Sequence, residues 1–131
     1  ALGLDEKTLD ERRQLVEAVE GLSGDDWAGW LGLAEALDKK EAALGGLEIL
    51  SGWYHDVLRV AGGAEGPLLN VDLVDKCRAA AAKLGVRGVL KRLELLEKAQ
   101  WGIERNQAPR LWMERTFLAF NGITPLGLGE E

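Results

Sequence analysis

A chain of 131 residues, 47% hydrophobic and 29% charged, has the composition of one globular domain with a single core, and is too apolar for a disordered segment. Its one cysteine excludes an internal disulfide and suits a reducing compartment, and no apolar run approaches the ~20 residues of a membrane span. The net charge of −6 is uneven: residues 1–75 hold 16 acidic and 6 basic side chains, whereas residues 76–115 hold 4 acidic and 10 basic. Such polarity marks either a partner surface or solvated helix faces. No signal peptide is visible, and a chain that opens on Ala1 reads as an excised or processed piece of a longer protein.

The spacing of apolar residues predicts about six helices and no strand. The first runs from Asp5, a capping residue, to Gly21, with Leu9, Leu15, Val16 and Val19 on one side. The second follows Ser23-Gly24-Asp25-Asp26, with Trp27, Trp30, Leu31, Ala34 and Leu37 at helical spacing. A capping-box arrangement, Asp38 with Glu41, opens the third. Its stripe of Leu44, Leu47, Leu50, Trp53, Tyr54, Val57, Leu58 and Ala61 covers more than half the circumference, which makes it the central helix. Residues 62–67 break the chain.

The fourth predicted helix starts near Asn70, carries Leu73, Val74, Cys77, Ala81 and Leu84, and stops at Gly85. The fifth runs from about Arg87 to Arg105 with Val89, Leu90, Leu93, Leu96 and Trp101 as its stripe. Pro109 opens the sixth, in the first-turn position where its missing N–H costs nothing. The domain is taken as residues 1–121 and residues 122–131 as a loose tail. Short links between long helices make antiparallel neighbours, so the expected fold is all-α, a helical bundle.

Chemistry-bearing patterns are few. His55, the single histidine, falls with Glu48 and Arg59 on the polar side of its helix, and neighbouring Asp56 is spaced to pair with Arg59. Cys77 falls in the apolar phase of its helix, as an inert core thiol does. Gly85-Val86-Arg87-Gly88 lacks the lysine and hydroxyl of a phosphate cradle, and Gly45-Gly46 suits close packing. No catalytic residue, cofactor site, metal site or small-molecule substrate is expected. Lys83, Arg87, Lys91, Arg92 and Lys98 are spaced to meet phosphates, but Glu94 and Glu97 interrupt them, as in an ordinary solvated helix.

The last helix is unusual. Leu111 with Leu118, Trp112 with Ala119, and Met113 with Phe117 and Phe120 form three apolar patches around it. It is either the central helix or the seat of another chain, and Trp112, Arg110 and Arg115 are of the types favoured as interface anchors. The candidate interface residues are Asn106, Arg110, Trp112, Met113, Arg115, Phe117 and Phe120.

Several elements together resemble a known family. Trp53-Tyr54-His55-Asp56-Val57-Leu58 resembles the W-L-R-D-L-L element of the bacterial clamp-loader delta prime subunit. The stretch from Asn70 through Leu73, Leu84 and Leu90–Leu96 to Ile103-Glu104-Arg105-Asn106-Gln107-Ala108-Pro109-Arg110-Leu111 is similar to that family's L-x-x-N-x-N and P-x-L-x-L-E ending, with Asn106 at the first Asn and Leu111 and Glu114 at the later Leu and Glu. His55 departs from the family's Arg, and Ala108 from its second Asn. The likeness covers roughly residues 5–120. It implies a collar domain of DNA polymerase III, cytoplasmic, holding a hetero-pentamer of clamp-loader subunits and meeting DNA only through the complex, with any nucleotide-binding module upstream. The rival readings are the collar of an ATP-binding clamp-loader subunit, an unrelated helical adaptor or nucleic-acid-binding bundle, and a small enzyme working through His55.

Overall fold

A computed structural model of the chain describes residues 6–64 and 73–123. Among the described residues there are five helices and no strand: α1 (Glu6–Gly21), α2 (Trp27–Ala36), α3 (Lys40–Ala61), α4 (Val74–Glu104) and α5 (Pro109–Phe120). The expected caps at Asp5 and Asn70 lie outside the described residues, as do residues 65–67 of the break and the tail beyond Ile123. The count is five rather than about six because the predicted fourth and fifth helices are two arms of α4. They meet at Gly85, whose φ of 69° and ψ of 173° are open to glycine and to almost nothing else. One residue outside the helical region bends the element without creating a loop.

Local chemistry sets most of the ends. Asp26 caps α2, its carboxylate accepting from the Gly29 N–H at 3.0 Å. The capping box predicted for α3 does not form there. Lys39 occupies the N-cap and makes no side-chain cap bond, since α3 begins one residue too late for Asp38 to serve. Ala108 likewise caps α5 without a side-chain bond, and Pro109 fills the first turn. The end of α4 is closed by Asn106 at φ 65°. The Asn106 N–H reaches the Ile103 carbonyl at 3.0 Å and the Gln107 N–H reaches that of Gly102 at 3.1 Å, the Schellman pattern with asparagine in glycine's usual place.

Helix α3 is central, as its wide stripe predicts. It packs against α4 along much of its length and also touches α1 and α5, while α5 packs on both α2 and α4. Leu47, Leu50, Trp53, Tyr54 and Val57 are all buried. The indole of Trp30 packs on Phe117 at 5.4 Å between ring centres and donates Nε1–H to the Ser23 carbonyl at 2.9 Å, so one side chain joins α2, α5 and the α1–α2 turn. Four stripe assignments are corrected. Trp27 and Leu31 on α2 are each 40% exposed, and Leu90 and Trp101 on α4 are 50% and 53% exposed. The apolar face of α2 is turned so that Trp30 and Ala34 are its buried residues, and Ala99, Gly102 and Ile103 fill the seam of α4 beyond Leu96.

A part-buried polar chain links α1, α3, α4 and α5. Glu20 Oε2 accepts from Trp53 Nε1 at 2.9 Å and from the Tyr54 hydroxyl at 3.1 Å. Arg92 Nη1 donates to the Tyr54 oxygen at 2.6 Å, and Nη2 donates to the Phe120 carbonyl at 3.4 Å. The guanidinium also lies over the Phe120 ring, 4.5 Å from its centre. Arg92 is thus half-buried and turned toward the core, which removes it from the phosphate-facing set that its charge suggested. Burial pushes the Tyr54 phenol far above its ordinary range; Arg92 pulls it down and Glu20 pushes it up, and burial prevails.

Cys77 is fully buried, and Asp56 is buried at 1%. Burial first, then the charges of Asp56 and Glu20, push the Cys77 thiol up from 9.0 to about 11. His55 is exposed.

Two outcomes follow. Tyr54→Phe leaves Glu20 and Arg92 each short of a buried partner, and should lower the unfolding free energy by about 1–3 kcal/mol with an unchanged denaturant slope. The neutral Cys77 thiol stabilises the fold fully below its unfolded pKa, and that contribution is lost as pH rises from 9.0 through about 11. Urea titrations across that window should therefore show a steeper loss of stability for the wild type than for Cys77→Ala.

Candidate assembly surface

The last helix has one fully dry face. Met113, Thr116, Phe117 and Phe120 are buried in the chain's own core, Phe120 edge-on to Tyr54 at 5.9 Å and to Phe117 at 5.8 Å. Three of the seven candidate interface residues, Met113, Phe117 and Phe120, thus serve internal packing. The cover that α5 needs comes largely from α2 on one side and α4 on another, which accounts for much of its apolar character without a second chain.

The other four candidates stay at the surface. Asn106, Arg110 and Trp112 gather at the α4–α5 corner, and Arg115 lies half-buried one turn further along α5. The corner is rigidly made. Lys40 Nζ at the start of α3 donates to the Asn106 side-chain oxygen at 2.8 Å. The half-buried Trp112 packs close against the bare backbone of Gly102 and donates Nε1–H to Gln107 Oε1 at 2.7 Å. A methyl group on Gly102 would sit 2.2 Å from that indole nitrogen. Arg110 Nε meets Glu114 Oε2 at 3.1 Å, an exposed pair that orients the side chain and adds little stability.

Exposed apolar residues that the stripe reading placed inside continue this surface. Trp101 stands on the outer side of α4 with the Arg105 guanidinium 4.1 Å over its ring, and Arg105 Nη1 donates to the Trp101 carbonyl at 3.0 Å. Leu90 lies 11 residues earlier on the same side. Arg87, Lys91 and Lys98 flank them, with Glu94 3.4 Å from Lys91. On α5, Leu111 is 46% exposed. The signal for Trp101 was present in the sequence: the small residues Ala99 and Gly102 suit a buried seam better than an indole does, and Arg105 follows at i+4.

Among the described residues, no group of three His, Cys, Asp or Glu side chains is placed to hold a metal, and no helix is long and apolar enough to cross a membrane. The arrangement defines a helical bundle whose distinctive feature is an anchored surface with exposed aromatic and arginine side chains. Comparison with known families agrees with that class. Residues 6–119 match the family model described as DNA polymerase III, delta subunit, C terminal, and the chain belongs to that family. It is a non-catalytic clamp-loader domain of DNA polymerase III. The family named is delta, where the sequence resemblance pointed to delta prime. No curated protein and no solved structure matches the chain.

Gly102→Ala tests the corner directly. Alanine is the better helix former by about 1 kcal/mol, yet the displaced indole should reverse the sign, for a net loss of about 1–3 kcal/mol by chemical denaturation. At Asn106 the left-handed backbone decides: Asn106→Gly should be neutral within about 0.5 kcal/mol and Asn106→Val should cost about 1–2 kcal/mol.

Proposed function

We propose that the chain is the collar of a clamp-loader subunit of DNA polymerase III, and that it holds a pentameric ring of subunits through the α4–α5 corner and the outer side of α4. The observation that supports this reading most is the exposed Trp101, stacked by Arg105 about one turn before the α4–α5 corner that carries Asn106, Arg110 and Trp112. An aromatic–arginine cluster on rigid helices is the side-chain chemistry from which interface hot spots are made. Family membership supplies the setting, and the ring's action in loading a sliding clamp onto primed DNA is carried over with it as part of the proposal. Between delta and delta prime, the Trp53–Leu58 element and the Asn106-to-Glu114 ending favour delta prime, whereas the family description favours delta.

In this reading the basic residues of α4 serve protein contacts, and DNA is met only through the complex. The test is co-purification of the full-length subunit with the other clamp-loader subunits of its source, at moderate salt. Wild type should enter a stoichiometric complex. Trp101→Ala with Arg110→Ala should weaken its entry at least tenfold, equal to about 1.4 kcal/mol or more, while circular dichroism shows the fold intact. A doubly substituted subunit that assembles as tightly as wild type would contradict the proposal. Which partners bind, and in what copy number, separates delta from delta prime.

A further inference from the structure

A subunit within a ring meets a neighbour on each side through unlike faces, and the outer side of α4 with its corner is one face. A second surface, away from it, has the form of a docking site. Between α1, the end of α2 and the first half of α3 lies an open groove of about 480 Å³. Its walls are Leu15, Leu33, Leu37 and Ile49, all partly exposed, and Gly45 and Gly46 form its floor. Along α3 it runs from Glu41 to Ile49, which at 1.5 Å per residue is about 12 Å, the length of two turns of a docked helix.

The two glycines differ. A methyl on Gly46 would meet Leu37 at 3.3 Å, so packing within the chain explains that residue. A methyl on Gly45 would meet nothing within 4 Å, and Gly45 has no left-handed φ. Glycine inside a helix is destabilising, and nothing in the chain requires this one. Its bare backbone leaves room for a close approach from outside.

Charge narrows the choice of visitor. Glu11 and Glu41 stand on the rim, and a smaller hollow that shares Gly45 carries Glu48 and Glu104. No lysine or arginine lines either hollow. Lys40, next to Glu41 in the chain, is drawn away to the α4–α5 corner, where it donates to Asn106 at 2.8 Å. An apolar trough among unopposed carboxylates suits a helix whose narrow apolar ridge is flanked by lysine and arginine.

We infer that the groove receives such a helix from a different subunit of the clamp loader. Its apolar residues, at i, i+4 and i+7, rest over Gly45, and its cations meet the four glutamates. The inference rests on the assembly reading and deepens it: the outer side of α4 meets one neighbour, and this groove meets the other.

The first test is a titration of the purified chain with a labelled helical peptide of about 18 residues, read by fluorescence anisotropy. One peptide carries leucine at that spacing with lysine on both flanks, and a second has glutamate for every lysine. The lysine peptide should bind at least tenfold more tightly. Its affinity should fall at least tenfold from low to high salt, because exposed charges are screened. Gly45→Arg fills the floor with the wrong charge and should weaken binding at least tenfold. Glu11→Gln with Glu41→Gln should weaken it at least threefold. All three positions are exposed, so circular dichroism should be unchanged. Trp27→Ala, which removes an exposed indole outside the groove, should bind as wild type does. Equal binding of the two peptides, or either groove variant binding as wild type does, would overturn the inference.

The second test identifies the visitor. The full-length subunit with Gln14→benzoylphenylalanine, a photo-reactive side chain at an exposed position of the α1 wall, is irradiated within the purified clamp loader. It should cross-link to a segment of a different subunit that is net positive and apolar at helical spacing. A cross-link to its own chain, to a second copy of it, to an acidic segment or to nothing would overturn the inference. A full-length subunit that never enters the complex defeats the assembly reading, and this inference with it. One that enters the complex but fails either test defeats the groove alone, and the assembly reading stands.

Discussion

Everything else in the bundle is arranged around the hydroxyl of Tyr54. It sits at the middle of the longest helix contact, between a carboxylate from α1 and a guanidinium from α4 that also reaches the last carbonyl of α5. An apolar core alone tolerates many small rotations of its helices, because burial has no direction. Directed bonds to a single buried hydroxyl narrow that choice. They set the rotation of α4, and that rotation decides what α4 shows outward: with Arg92 turned in, Leu90 and Trp101 are turned out. The surface proposed for assembly is thus a consequence of an interior polar contact.

That dependence also explains which parts were legible in the sequence. Helix α3 was plain because its stripe is wide enough to define a central element whatever its neighbours do. The break at Gly85 was plain as a break, but a stop and restart look the same in sequence as a bend, and the structure shows the bend. The facing of α4 was misread. Leu90 and Trp101 fit an apolar stripe drawn by residue type, while Arg92, a charged residue, was placed outside. Periodicity assigns faces by polarity, and here one half-buried arginine is turned inward by Tyr54 and Phe120, through the phenol, a carbonyl and both rings.

The last helix shows the opposite case. Its residues were correctly read as needing cover on most sides, and two sources of cover were left open. Cover by the chain itself proves to be the larger source. Met113, Phe117 and Phe120 are core, and only Leu111, the edge of Trp112 and the two arginines retain outward character. Conversely, the corner at Asn106 was legible because a single asparagine in a family-like ending coincides with a backbone turn that few other residues tolerate. The lysine that fastens it comes from 66 residues earlier, which no local pattern reveals.

The central claim is that the outer side of α4 and the α4–α5 corner are covered when the subunit assembles. Hydroxyl-radical footprinting of the full-length subunit, alone and within the purified clamp loader, measures that cover at single side chains. The account predicts that Trp101, Leu90 and Arg105 lose most of their reactivity on assembly. Trp27, on the outer side of α2, should keep its own and serve as the internal reference. If Trp101 reacts as fast in the complex as in the free subunit, these side chains are not the assembly surface, and the account is contradicted.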